Sequence, residues 1–252
     1  MARIRRGYVQ LDSGLVHLRY GGRGAPLVVV HDAGQSSATA ERHEFLARLA
    51  DRFRITAPDL PGHGRSDPVS APPTLAALAT LIQAVAHELG DTSIRILGIG
   101  LGALIGAQLA RSAPSAVQAL VCAFPPETPA PPGALAGDGS HLLPPFRHYL
   151  ARLADQPGGL AEATALTLEA AEAGEAAARA FALRRATAWE PLFAELEMPA
   201  LLLAALGDPQ FDRLSDLATG NARLDLALAP PGLVFGAFDP AALRATVEDV
   251  LW

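Results

Sequence analysis

The sequence predicts an α/β fold: a mostly parallel sheet with helices on both faces, interrupted by a helical insertion. Three observations carry this. Short, continuously apolar runs of strand length recur along the chain, as strands buried on both faces require. Apolar residues at helical spacing fill the intervals between them, with short connections; this is the pattern of crossover-linked parallel strands. The alternation fails once, in a proline-rich stretch followed by helices rich in alanine and leucine, and then resumes.

Taken in order, residues 7–11 and 16–20 alternate and are split by Asp12-Ser13-Gly14, a hairpin signal. The run Pro26-Leu27-Val28-Val29-Val30-His31 predicts a buried strand, and Phe45, Leu46 and Leu49 place a helix over 37–50. A strand over 53–57 ends in the loop 58–67. A helix over 74–89 is closed by Gly90, a strand follows at 94–97, a helix at 101–111 stops before Pro114, and a strand covers 117–123. Prolines 125, 126, 129, 131, 132, 144 and 145 then break the pattern. Helices are expected at 146–154, 160–173 and 174–187. Regular alternation returns at Met198, with strand 200–205, helix 210–218, strand 223–228 and a last helix at 240–251. The expected organisation is one core built from 1–139 and 198–252, with a helical lid inserted over 140–197.

Composition narrows the chemistry. Of 252 residues, 50% are hydrophobic and 18% charged, which excludes a disordered chain. A net charge of −6 argues against a nucleic-acid partner. All 20 basic residues are arginine, so Schiff-base chemistry, a pyridoxal anchor and a lysine-bearing phosphate loop are excluded. A single cysteine allows no intrachain disulfide, zinc knuckle or iron–sulfur cluster. No His, Cys, Asp or Glu cluster has metal-ligand spacing, and no cofactor is expected. The apolar runs end well short of the ~18 residues a membrane helix needs, and no apolar stretch follows the basic start. The expectation is a cytoplasmic protein without a signal peptide, from a high-GC bacterial genome.

Four segments carry a resemblance. Val30-His31-Asp32-Ala33-Gly34 follows the third strand. Ile55-Thr56-Ala57-Pro58-Asp59-Leu60-Pro61-Gly62-His63-Gly64-Arg65-Ser66-Asp67 forms a long, specific loop motif. Ile96-Leu97-Gly98-Ile99-Gly100-Leu101-Gly102-Ala103 lies at a strand-to-helix turn, and Met198-Pro199-Ala200-Leu201-Leu202-Leu203 precedes Asp208. Together, and in this order, they resemble the α/β-hydrolase family over nearly the whole chain outside the insertion. The resemblance implies a nucleophile elbow at 98–102, an oxyanion hole built from the backbone N–H groups of Ala33 and Leu101, and a catalytic acid at Asp208.

Two departures from the family pattern follow. The elbow pattern G-x-S-x-G reads Gly98-Ile99-Gly100-Leu101-Gly102, so the nucleophile position holds Gly100. The family's histidine falls on Leu233, between Gly232 and Pro240, and no histidine lies beyond position 148. Asp208 keeps the acid position, but an acid without its imidazole has no role in a triad. Loss of nucleophile or base alone costs about 10⁶ in turnover in a serine protease. An intact oxyanion hole leaves only ~10³ to 10⁴ over water.

Each candidate also has a structural reading. Gly98, Gly100 and Gly102 fit close packing of the strand–helix turn better than a dinucleotide loop, because Gly106 stands one place late and no acidic residue ends the next strand. Asp32 either puts a carboxylate beside the vacant pocket or ties its own loop, with Ser36 and Ser37 capping the helix that follows. A carboxylate there would oppose a developing oxyanion. His31 and His63 are expected as hydrogen-bonded residues beneath the pocket, although His31 is also a candidate catalytic group. His141 and His148, on the insertion, could reach the vacant triad space. His17, His43 and His87 are expected on the surface, Cys122 as a buried inert thiol, and Arg179, Arg184 and Arg185 as a solvated helix face.

Three functions follow. The leading one is a non-hydrolytic, small-molecule-binding or regulatory member that holds a small apolar ligand under the lid. The alternative is an active hydrolase or lyase with chemistry relocated to Asp32, Asp208, His31 or a lid histidine; it requires an imidazole within reach of Asp32 or Asp208. The third is a structural subunit with a collapsed pocket, acting through a homodimer or protein partner.

Overall fold

The structure is a computed structural model that describes residues 2–42, 44–124, 136–155, 158–204 and 210–229. Its eight strands are β1 (Arg5–Leu11), β2 (Gly14–Gly21), β3 (Ala25–Val30), β4 (Phe53–Pro58), β5 (Ile94–Ile99), β6 (Val117–Phe124), β7 (Ala200–Ala204) and β8 (Leu224–Leu228). They form one sheet in the order β1-β2-β4-β3-β5-β6-β7-β8. β1 pairs antiparallel with β2, and β2 with β4, while every other pairing is parallel. The α/β-hydrolase fold is thus present, with its mostly parallel sheet flanked by helices.

The continuous apolar runs are explained by burial on both faces. Val28, Val30, Ile96, Leu120, Cys122 and Leu202 share one core. Their chain neighbours Leu27, Val29, Leu97, Val121 and Leu203 share the other. Side chains alternate across a strand, so a strand facing two helical layers must be apolar at every position. On the first face, α3 (Leu75–Glu88) and α4 (Leu101–Ser112) cover the sheet. Leu78, Ile82 and Val85 give α3 its buried stripe, and the Thr74 hydroxyl accepts from Ala77 N at 3.1 Å to cap it. On the second face pack α1 (Ser37–Arg42) and α2 (Phe45–Leu49).

The expected single helix over 37–50 is two helices. Glu44 breaks it in a left-handed conformation, φ 55°. Between β6 and β7 lie α5 (Leu143–Leu153), α6 (Gly159–Ala173), α7 (Glu175–Ala186) and a short α8 (Glu190–Ala194) that the sequence did not announce. α9 (Phe211–Gly220) precedes β8. The last expected helix, at 240–251, lies outside the described residues. Among the described residues, no helix is long and apolar enough to cross a membrane.

Candidate functional site

The site begins where β5 turns into α4. Gly100 occupies that turn at φ 55°, ψ −110°, and its N–H donates to Ala123 O at 2.9 Å. A residue with a side chain would carry about 1–3 kcal/mol of strain there; glycine carries almost none. A Cβ on Gly98 would stand 2.4 Å from the Gly102 carbonyl, and one on Gly102 would stand 2.2 Å from Val30 O. Those two glycines therefore let α4 cross tightly over the strands, which accounts for the G-x-G-x-G pattern without a nucleotide.

Asp32 follows β3 and is buried. Its Oδ1 accepts from Ala33 N at 2.7 Å and from Leu101 N at 2.8 Å. These are the two N–H groups expected to form the oxyanion hole, and both distances fall within the ~2.7–3.1 Å that such donors keep from an oxyanion. The carboxylate thus stands where a reacting oxygen would sit. It also fills the nucleophile's space: a Cβ at Gly100 would lie 2.1 Å from Asp32 Oδ1 and 2.2 Å from Cγ.

The second Asp32 oxygen is held by the insertion. Arg184 Nη1, near the end of α7, donates to Oδ2 at 2.5 Å, with the two side chains 11% and 8% exposed. Arg184 is therefore an ion-pair partner within the site, not part of a solvated face. Nearby, Glu169 of α6 accepts from Ser36 N, Ser36 Oγ and Thr39 Oγ1 at 2.9, 3.2 and 2.8 Å, and from Arg42. Arg42 also bonds Glu162. Phe181 and Ala170 press on the Asp32 loop, where a Cβ at Gly34 would be 2.9 Å from the Phe181 ring. Buried Tyr149 lies in the same field. Burial, then the charges of Asp32 and Glu169, push its phenol above the ordinary value, against the opposing pull of Arg184.

The histidines have structural partners. His31 Nδ1 meets Asp32 O at 2.7 Å while its Nε2 accepts from Leu60 N at 2.9 Å. His63 Nε2 accepts from Gly34 N at 3.3 Å and its Nδ1 meets Pro61 O at 3.1 Å. Burial, and then neighbouring His31, hold the His63 imidazolium down at about 4, so the ring is neutral at pH 7. His17, expected on the surface, is buried, with Nδ1 2.8 Å from Asp59 Oδ2. The reason is that its strand face turns toward the 58–67 loop. Burial opposes the Asp59 charge, but the His17 hydrogen bond, the electrostatic pull of His31 and the Ser37 hydrogen bonds overcome it and lower that carboxyl far below its ordinary value. His87 is exposed, and His43 lies outside the described residues. His141 accepts from Ala136 N at 3.2 Å, and His148 packs edge-on against Tyr149 at 5.7 Å. Among the described residues, no imidazole reaches the Asp32 carboxylate. Asp208 and Leu233 lie outside them.

Cys122 is buried, and burial raises its thiol well above the ordinary value. Among the described residues, no three His, Cys, Asp or Glu side chains could hold a metal ion. Among the described residues, two cavities touch the elbow. One, of about 400 Å³, touches Gly100, Leu104, Phe124 and Trp189. The other, of about 340 Å³, touches Leu101, Leu60, His63 and Ala180. Asp32 opens into neither. The missed residues are Arg184, Glu169 and Tyr149. The only signal for them was charge and an aromatic ring on otherwise alanine-rich helices.

The comparisons agree with this architecture. Residues 25–168 match the family model for the alpha/beta hydrolase fold. A pimeloyl-[acyl-carrier protein] methyl ester esterase of Methylococcus capsulatus is 37% identical over 108 residues, 41% of this chain and 39% of that protein. An uncharacterized protein of Mycobacterium tuberculosis is 34% identical over 103 residues, 41% of this chain and 30% of that one. These matches thus span well under half the length of the curated relatives. The structure of a 2-hydroxy-6-oxo-6-phenylhexa-2,4-dienoate hydrolase from Rhodococcus sp. strain RHA1 superposes with TM-score 0.77 at 18% identity, covering 99% of each chain. With the motifs, the sheet order and the elbow turn in agreement, the chain belongs to the α/β-hydrolase family.

Proposed function

We propose that this chain is a non-hydrolytic member of its family, a small-molecule-binding or regulatory pseudoenzyme whose oxyanion hole is filled by its own Asp32 carboxylate. One observation carries the reading. Asp32 Oδ1 takes both N–H donors, at 2.7 and 2.8 Å, beside a Gly100 that offers no nucleophile. An acyl oxygen entering the hole would have to expel a buried carboxylate from two amides and Arg184. A charged donor set already satisfied cannot stabilise a new oxyanion. The sequence adds Leu233 at the histidine position. The inserted helices act as a lid over the cavities, and no cofactor takes part. The protein works in the cytoplasm, alone or through a protein partner or second copy.

The test is turnover of p-nitrophenyl acetate, butyrate and octanoate by the purified protein. Asp32→Asn, Asp208→Asn and Gly100→Ser are run beside it. The expected rates are those of buffer for all four proteins, since Gly100→Ser restores a hydroxyl but no base. Turnover that falls in Asp32→Asn or Asp208→Asn would mean that relocated chemistry operates and the reading is wrong.

A further inference from the structure

We propose that the cavity beside Gly100 binds a small organic monoanion, a carboxylate on a compact apolar or aromatic body. The proposal deepens the non-hydrolytic reading and rests on it. Three surfaces meet there: the elbow and α4, the end of β6, and residues of α7, α8 and α9 with those flanking them. The cavity is about 400 Å³, at the low end of small-molecule sites.

Its lining has two characters. Leu104, Phe124 and Trp189 form an apolar bed, with Phe124 and Trp189 rings 5.6 Å apart. Around them stand Arg184, Arg185 and Arg213. Two of these cations are matched: Arg184 by Asp32 and Arg213 by Glu190. Arg213 also lies 5.0 Å over the Trp189 ring, which braces the bed. Arg185 has no acidic partner among the described residues. Among the described residues, the cavity therefore carries one positive charge without an acidic partner, beside an aromatic wall.

That balance selects the ligand. A purely apolar ligand would leave Arg185 without an anionic partner. A phosphate monoester, with about −1.5 to −2 charges, exceeds the one described cation there that lacks an acidic partner. A carboxylate carries the single charge required and matches the planar guanidinium fork. The ligand predicted is thus more polar at one end than the small apolar molecule the sequence led us to expect.

Calorimetric titration of the purified protein tests this, with phenylacetate and hexanoate set against methyl phenylacetate and methyl hexanoate. The carboxylates are expected to saturate a single site and to bind about tenfold or more tightly than their esters. Arg185→Gln, an exposed substitution outside the core, should remove most of that preference. Equal binding of acids and esters, a preference unchanged in Arg185→Gln, or no saturation by either acid would overturn the proposal. Product analysis separates the two readings. Hydrolysis of the methyl esters would overturn the non-hydrolytic function, whereas absent hydrolysis with absent selectivity would overturn the anion site alone.

Discussion

A Cβ at position 100 would stand 2.1 Å from Asp32 Oδ1, so serine at 100 and aspartate at 32 exclude each other in this packing. Gly100→Ser should lose about 2 kcal/mol or more, from positive-φ strain and overlap. Asp32→Gly should lose about 2–4 kcal/mol, because it removes the shared acceptor of the Arg184 guanidinium and two buried amides. With the carboxylate gone the serine fits, so the double variant should lose at least about 1 kcal/mol less than the sum. Urea unfolding of the four proteins measures this, and additive losses would show that the two residues do not share the space. Gly100, Asp32, Ala33 and Leu101 were legible from their places in the family's motifs. The Arg184 contact was not, because 152 residues separate it from Asp32 and nothing local encodes the meeting.

At the scale of elements, the strands were legible because burial on both faces writes an unbroken apolar run. The break at Glu44 was not, since Phe45, Leu46 and Leu49 all lie beyond it and their helical spacing registers nothing of a stop before them. The 58–67 loop sets a pH dependence. His63 is neutral in the fold and titrates at about 4, against an ordinary value of 6.5. Between those values the unfolded chain binds a proton that the folded chain refuses. Stability is therefore full above pH 6.5 and falls as pH drops through that window, by roughly 3 kcal/mol. Asp59 and Glu41, both lowered, contribute above their ordinary values of 3.8 and 4.5, and lose that contribution only at lower pH. Unfolding midpoints from pH 7.5 to 4.5 should slope down in the parent and flatten in His63→Gln. An equal slope in both would assign the effect elsewhere.

For the whole molecule, the sheet and its two cores position the β3 loop and the elbow side by side, as the family's chemistry needs. The helices between β6 and β7 meet this arrangement through Arg184 to Asp32, Glu162 and Glu169 to Arg42, and Phe181 onto Gly34. Their alanine-rich sequence revealed helices but not which face would meet the core, because a blurred apolar stripe does not fix orientation. The proposed filling of the oxyanion hole by the Asp32 carboxylate leaves a mark on the amides it takes. Its most direct test is the backbone amide resonance of Leu101, 69 residues from Asp32 in sequence. The Leu101 amide proton should lie far downfield, resist exchange, and move sharply upfield in Asp32→Ala. A Leu101 resonance at an ordinary position, unmoved by that substitution, would mean that the Asp32 carboxylate does not hold the oxyanion-hole amides.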